Sequence, residues 1–494
     1  MFKPPLQNTS APRDQEPDAD LQKILDWHAK RRERLLRGEY ESHVLRLSEL
    51  VNQNMESPMR IGAVRVEGAT NTRKSFLASL IDPVLAQPAN TLEDVLHTTR
   101  RISQTLQKSN LFKHVEARLE SSRQPLASPQ DVDVVFKTRE LGRYYLNTST
   151  ELGNNEGTAS ATARIRNVFG GGETFEANMA AGTKTKKSFR GALSFPLSSD
   201  LRTYGELLAY GLERDHTSYA SCTEDAKGFK AIVRNGSHNE GYHELAYEVV
   251  HRYLGNLAPT ASMSMRSAAG PSTKSALSLT YIRDTRDDQI AATRGFYIRL
   301  FQEIAGAGAK IPLRSGMSTA TTAQTPSSIG LGGDASFYKA EAETQVSRQI
   351  VDGVSMSVAL RSGILLGLSD KPVAPFPDRF QIGGPTSVRA FKSFGMGPRD
   401  GPDSLGGDIF YSLGLSLVTN IPRKPHWPVK AHTWINAGQL DSLNYGEPSI
   451  SAGLGIIYRF DPIRLEVNFG MPLTANKSDV LRRGIQVGMG LEFL

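Results

Sequence analysis

The chain has 494 residues, with 58 Lys plus Arg against 51 Asp plus Glu and a formal net charge of +7. Hydrophobic residues make up 39% and mean hydropathy is −0.34, and no window approaches the roughly 18 consecutive apolar residues of a spanning helix; a polytopic helical membrane protein is excluded. A membrane β-barrel stays open, because lumen-facing polar residues dilute its lipid-facing ones, and 44 glycines suit β structure.

The basic excess is scattered rather than gathered in a stripe, so no nucleic-acid partner is expected. Cys222 stands alone, which rules out an intrachain disulfide, a cysteine zinc site and an iron–sulfur cluster. A buried or incidental thiol is expected there. The length predicts two or three ordinary domains, or one small domain and one large one.

Residues 1–57 read as a Pro-rich, disordered start followed by an amphipathic helical segment. Met1-Phe2-Lys3-Pro4-Pro5 lacks the charged and apolar regions of a secretory signal, and Asp14, Glu16, Asp18 and Asp20 argue against an acid-poor transit peptide. From Leu21 to Val51 apolar residues recur at helical spacing around Lys30-Arg31-Arg32-Glu33-Arg34. This segment is expected to pack on its own protein; the alternative is a helix resting on a membrane or a partner.

Residues 58–140 read as a small α+β domain of order β-α-α-β-β. The first strand is Ile61 to Val66. Two helices follow, with Phe76, Leu77, Leu80, Ile81 and Val84 on one face of the first, and Leu92, Val95, Ile102 and Leu106 on the second, which Thr91 can cap. Strands around Val115 to Leu119 and Asp131 to Thr138 close the domain. The edge of such a sheet could accept a peptide strand.

From 141 to 494 helical periodicity gives way to dyad alternation. Ile485, Val487, Met489, Leu491 and Phe493 alternate with Gly484, Gln486, Gly488, Gly490 and Glu492. Ile450 to Tyr458, Ile409 to Leu417 and Val354 to Leu360 repeat the pattern, each with one apolar face and one small or charged face. An apolar face toward lipid explains this in a transmembrane β-barrel. Sixteen antiparallel strands allow about 22 residues per strand with its connection; fourteen or eighteen also fit. Ala305 to Asp334 reads as a long flexible loop. A second interruption, 378–403, is too specific for a hairpin: Gly383-Gly384-Pro385-Thr386-Ser387-Val388-Arg389-Ala390-Phe391.

A terminal barrel, a small domain before it and a loop with a Val-Arg-Ala-Phe core resemble the BamA-type outer-membrane assembly superfamily. The small domain then corresponds to a polypeptide-transport-associated (POTRA) domain. One such domain, no secretory signal and the Gly-Gly-Pro-Thr-Ser lead-in resemble the mitochondrial branch, the barrel subunit of the sorting and assembly machinery. The resemblance covers roughly Arg60 to Leu494. It implies an inward loop carrying Gly383, Gly384, Val388, Arg389, Ala390 and Phe391, with Arg389 meeting a polar or acidic partner on the wall. Asn436 is one candidate, in the segment Thr433 to Gly438 that resembles the family's aromatic-x-Asp-x-Gly strand with Asn for Asp. Glu466 is the other. Ala390 departs from the superfamily's usual Gly, which puts a loop geometry needing positive φ in doubt.

The resemblance also implies a lateral gate between first and last strands. Its first strand would run near Arg143, Tyr145, Asn147 and Glu151, and its last would carry Gln486, Gly488, Leu491 and Phe493, which match the sorting-signal pattern of mitochondrial barrel precursors. The implied partners are outer-membrane lipid, β-barrel precursors of porin and import-channel type, and accessory subunits of the machinery. The implied location is the mitochondrial outer membrane, with the POTRA domain in the intermembrane space. No enzyme is expected: Gly170-Gly171-Gly172 and Gly306-Ala307-Gly308 complete no dinucleotide fingerprint, no Walker lysine motif occurs, and no cofactor or metal is implied. The rivals are a protein-conducting or secretion pore of a chloroplast or bacterial relative, a metabolite porin, and a soluble all-β binding protein.

Overall fold

The computed structural model describes residues 19–36, 46, 48–123, 125, 127–153, 156–237, 240–289, 291–306, 331–368, 375–421, 427–441, 447–460 and 463–490. The expected disorder of residues 1–18 and most of the loop expected at Ala305 to Asp334 lie outside them. The chain divides into two compact units. One comprises Met1–Glu67, Asp82–Gln104 and Val115–Thr138; the other comprises Gly68–Ile81, Thr105–His114 and Arg139–Leu494.

The N-terminal segment is helical as expected, in α1 (Ala19–Leu36) and again over 48–53. Its packing differs from expectation. Ile24, Leu25, Trp27 and Leu35 are all more than half exposed. The apolar positions are too few to cover a stripe, and the run Lys30 to Arg34 draws the helix toward solvent.

Five elements follow in the order β-α-α-β-β: β1 (Arg60–Glu67), α2 (Lys74–Leu85), α3 (Leu92–Lys108), β2 (Phe112–Ser121) and β3 (Asp131–Glu140). The sheet order is β1-β3-β2, with β1 and β3 parallel. The central strand carries Val134, Val135 and Phe136, all fully buried, as a strand covered on both faces requires. Both helices bury their apolar faces: Leu77, Leu80, Ile81 and Val84 on α2, Val95, Ile102 and Leu106 on α3. A reciprocal cap starts α3, where Thr91 Oγ1 accepts from Asp94 N–H at 3.2 Å and Asp94 Oδ2 accepts from Thr91 N–H at 3.2 Å.

The rest of the chain is one antiparallel sheet of sixteen strands. In chain order these are β4 (Tyr144–Gly153), β5 (Glu156–Arg166), β6 (Thr174–Gly182), β7 (Thr185–Pro196), β8 (Thr203–Asp215), β9 (Thr223–Ser237), β10 (Gly241–Gly255), β11 (Gly270–Asp284), β12 (Gly295–Ala305), β13 (Phe337–Val351) and β14 (Val354–Gly367). A long connection carrying the two-residue strands β15 (Arg399–Asp400) and β16 (Asp403–Ser404) intervenes. The wall then resumes with β17 (Ile409–Asn420), β18 (Val429–Asp441), β19 (Ser449–Phe460), β20 (Ile463–Thr474) and β21 (Gly484–Gly490). Consecutive wall strands pair as neighbours throughout, so the count is settled at sixteen rather than fourteen or eighteen. One short helix, α4 (Met263–Ala268), interrupts the connection between β10 and β11.

The sheet curls until its two ends, β4 and β21, come within 8 Å of one another, Cα to Cα. Among the described residues no ladder of hydrogen bonds joins them. Every other strand of this sheet has a hydrogen-bonded neighbour on both sides. The first strand begins at Tyr144, one residue after Arg143, whose guanidinium donates to Val168 O at 2.9 Å instead.

Side-chain parity separates the two faces. Leu413, Leu415 and Leu417 of β17, Leu454 and Ile456 of β19, and Ile485 and Val487 of β21 all point outward and are substantially exposed. The inner face carries cross-strand ion pairs: Arg164–Glu176 at 2.6 Å between β5 and β6, Arg190–Glu206 at 2.7 Å between β7 and β8, and Arg361–Glu343 at 2.7 Å between β14 and β13. An apolar outside around a charged inside suits a strand wall in lipid.

The outer face gives a direct test. Leu454→Arg should destabilise the barrel refolded into bilayers by about 2–4 kcal/mol, while Leu454→Phe should cost under about 1 kcal/mol, read from denaturant midpoints by tryptophan fluorescence.

Candidate functional site: an inward loop pinned beside the seam

Residues 376–408 leave the wall after β14 and fold into the lumen, a longer excursion than the 378–403 expected from sequence. Gly383 and Gly384 start the turn with φ of 105° and 115°. A Cβ on Gly383 would lie 2.9 Å from Lys392 O, so only glycine fits this return. Gly384 N–H donates to Val388 O at 3.1 Å and closes the turn. Val388, Arg389, Ala390, Phe391 and Met396 are wholly buried. The inner face is therefore not lined by small residues alone. Val388, Phe391 and Met396 join Phe337, Leu365 and Leu440 of the wall in one apolar core.

At the centre is Arg389. Its Nε and Nη2 donate to Glu466 Oε2 at 3.2 and 3.0 Å, and its Nη1 donates to Asn436 Oδ1 at 3.1 Å. Both sequence candidates thus meet the arginine, one with charge and one without. The guanidinium carbon also stands 5.4 Å from the ring centroid of Trp434. A buried guanidinium costs several kcal/mol unless its charge is matched and its donors are used; here the wall supplies both.

Further residues complete the site, and sequence reasoning had not singled them out for it. Arg464 reaches Glu466 Oε1 from the neighbouring inward position of β20. Asn468 Nδ2 donates to Glu466 Oε2 at 2.8 Å, and Asn468 Oδ1 accepts from Trp434 Nε1 at 3.1 Å and lies 2.7 Å from His432 Nε2. Ser451 Oγ donates to Arg389 O at 2.6 Å. The signal that could have found them is parity. His432, Trp434 and Asn436 share the inward face of β18, as do Arg464, Glu466 and Asn468 on β20.

Gln486, expected as a gate residue, faces the lumen and holds the loop. Ala390 N–H donates to Gln486 Oε1 at 2.8 Å, and Gln486 Nε2 donates to Phe391 O at 2.9 Å. Gly488 lies opposite Glu466 in the β20–β21 ladder. Leu491 and Phe493 lie outside the described residues. On the other side of the seam, Tyr145 of β4 lies under Arg164, at 5.9 Å from ring centroid to guanidinium carbon, while Asn147 and Glu151 pair with Thr162 and Thr158 of β5.

The Trp434-x-Asn436-x-Gly438 spacing now has a physical reason. All three face the loop, and a Cβ on Gly438 would stand 2.6 Å from Val388 Cγ2. Gly453 and Gly470 likewise clear room for the Trp434 ring, which a Cβ on either would approach to 2.5 and 2.6 Å. The doubt about Ala390 is answered by its backbone, which takes φ 68° without glycine. That strain, of order 1–3 kcal/mol for a non-glycine residue, is held by hydrogen bonds on both sides. Ala390 O accepts from Arg482 N–H at 2.9 Å, Lys392 N–H donates to Val480 O at 2.9 Å, and Phe391 bridges Leu481. The loop thereby pairs with residues 480–482, the connection between β20 and β21.

A sixteen-stranded barrel that folds a buried arginine loop onto its own last strands defines the outer-membrane assembly class of barrels. The Omp85 superfamily domain matches residues 167–493. A SAM50-like protein of Schizosaccharomyces pombe is 32% identical over 91% of this chain and 94% of its own length. The sorting and assembly machinery component 50 homologue of Xenopus tropicalis is 31% identical over 87% and 90%, and that of Homo sapiens 29% over the same shares. Among solved structures, BamA from Haemophilus ducreyi lacking POTRA domains 1–3 aligns with a TM-score of 0.70 at 14% identity, covering 87% of this chain and 84% of that one. The chain belongs to the Omp85 superfamily and, within it, to the SAM50 family of barrel subunits.

Two substitutions probe the site. Arg389→Ala should cost about 3 kcal/mol, the low end for a broken buried pair because Arg464 still faces Glu466; adding Glu466→Gln should deepen the loss in denaturant unfolding, because Arg464 then loses its carboxylate as well. Ala390→Val places a β-branched residue at positive φ and should cost about 2–3 kcal/mol. It should appear as faster hydrogen exchange over residues 388–392 while the barrel strands stay protected.

Proposed function

We propose that this protein folds and inserts β-barrel precursors into the mitochondrial outer membrane through a lateral gate between β4 and β21. The observation that carries the reading is the seam: the two ends of the sheet lie side by side, and among the described residues no ladder joins them. An edge strand in lipid presents backbone donors and acceptors that cost several kcal/mol apiece when left unsatisfied. An incoming strand satisfies them by β-augmentation, so pairing itself drives its capture. No nucleotide is required for such an exchange.

The inward loop fits this role because it touches the last strands rather than the wall at random. Gln486 and residues 480–482 tie it to β21 and to the hairpin that β21 closes, and Glu466 ties it to β20. Fixing the loop therefore fixes the shape of one lip of the gate. Arg389 and its partners act as positioning residues. In this reading the substrates are precursors of porin and import-channel type, the small α+β domain receives them on the intermembrane-space side, and accessory subunits complete the machinery. The names of the SAM50 relatives support membership of a sorting and assembly machinery. A protein-conducting pore of a chloroplast or bacterial relative is the second reading; it would pass its cargo through the lumen.

Site-specific photocrosslinking in isolated mitochondria separates the two. Probes at Tyr145 and Gly488 should both capture an arrested barrel precursor, and both adducts should vanish when the precursor's terminal signal is mutated. Adducts at a lumen position such as Glu466, with none at the seam, would overturn the gate and favour the conducting pore.

A further inference from the structure

The inward loop touches the barrel at a second place, on wall strands far from β20 and β21 in the sheet order. Asp378, in the short helical turn Phe376–Asp378, is buried. Its Oδ2 accepts from Arg252 Nη1 of β10 at 2.9 Å, and its Oδ1 lies 3.6 Å from Lys274 Nζ of β11. Its backbone carbonyl accepts from Lys339 Nζ of β13 at 3.2 Å. Beyond it, the loop's β15–β16 hairpin reaches the connection between β10 and β11. Asp403 Oδ2 accepts from Ser262 N–H at 2.7 Å, and Asp400 Oδ2 accepts from Ser264 N–H at 3.1 Å and Ser264 Oγ at 2.7 Å. Phe376 packs with Cys222, Leu254 and Met265 in a small apolar cluster at the same place.

We infer that Asp378, supported by Asp403, is a second anchor of the inward loop, holding it across the lumen so that the barrel stays closed to ions whether or not the gate is engaged. The contacts around Arg389 hold residues 388–392 against β18 to β21. Asp378 and Asp403 hold a separate part of the loop against β10 and the connection from β10 to β11, so it is fixed at two places in the lumen. The charges make the anchor separable from the wall. Without Asp378, Lys274 still pairs with Glu303 at 2.7 Å and Glu248 at 3.6 Å, and Arg252 still faces Glu224 at 3.8 Å. Removing the loop carboxylate therefore frees the loop while the wall keeps its own ion pairs. Asp378 is a positioning residue, and the inference concerns closure of the lumen; it does not rest on the insertase reading.

The test is single-channel recording of the full-length chain in planar bilayers. Asp378→Asn should raise the frequency of large openings roughly tenfold, the population shift expected when one state loses a buried charge partner. Asp378→Asn with Asp403→Ala should raise it further, and Asp378→Glu, which keeps the charge, should stay within about twofold of wild type. A double variant that records like wild type, or an Asp378→Glu variant that opens like Asp378→Asn, overturns the anchor. Folding is checked by heat-modifiable migration on gels. Hydrogen exchange on the wild-type protein supplies a readout independent of any variant's folding. Residues 376–382 should be protected as well as 388–391, and fast exchange confined to 376–382 would equally overturn the inference.

Discussion

A guanidinium inside a barrel is the constraint on which the site depends. Arg389 is wholly buried, so its charge must be matched and its donors used, and that fixes what surrounds it. Glu466 supplies the charge, Asn436 and Ser451 supply acceptor and donor, and Trp434 supplies an aromatic face. Three glycines on β18, β19 and β20 exist in that wall because a side chain there would collide with Val388 or Trp434. The wall and the loop are thus one packed object, and the barrel there is filled rather than open.

The same loop stiffens the weakest part of the sheet. A closed barrel hides every edge, but here the two terminal strands meet without a ladder among the described residues. β21 has β20 on one side only, and the loop gives it a second contact from within through Gln486. Among the described residues, β21 is thus braced from the lumen side. The opposite wall, through Asp378, holds the other end of the loop.

Much of the architecture was legible in the sequence. The dyad alternation of Ile485 to Met489, Ile450 to Tyr458 and Ile409 to Leu417 named both the strands and their lipid faces, because lipid accepts only apolar side chains. The β-α-α-β-β order of the small domain was equally clear, since two amphipathic stripes and a capping threonine at Thr91 leave little choice. The Val-Arg-Ala-Phe core marked the loop, Asn436 was found through the resemblance of its segment to the family's aromatic-x-Asp-x-Gly strand, and Glu466 through its inward place in the alternation. The N-terminal helix was misjudged in its packing, since amphipathic spacing says that a face exists and not what covers it.

The sequence by itself determined the wall: which segments are strands, which face meets lipid, and that an arginine folded inside must find a partner there. Tertiary structure decided the number of strands, the inward role of Gln486, the left-handed backbone at Ala390 and the second foothold at Asp378. The physical reason is range. Strand alternation is written two residues apart and survives in any register, whereas the loop's contacts join residues as far apart as 47, 126 and 141 positions. Those contacts exist only once sixteen strands have closed and brought both walls within reach of one loop.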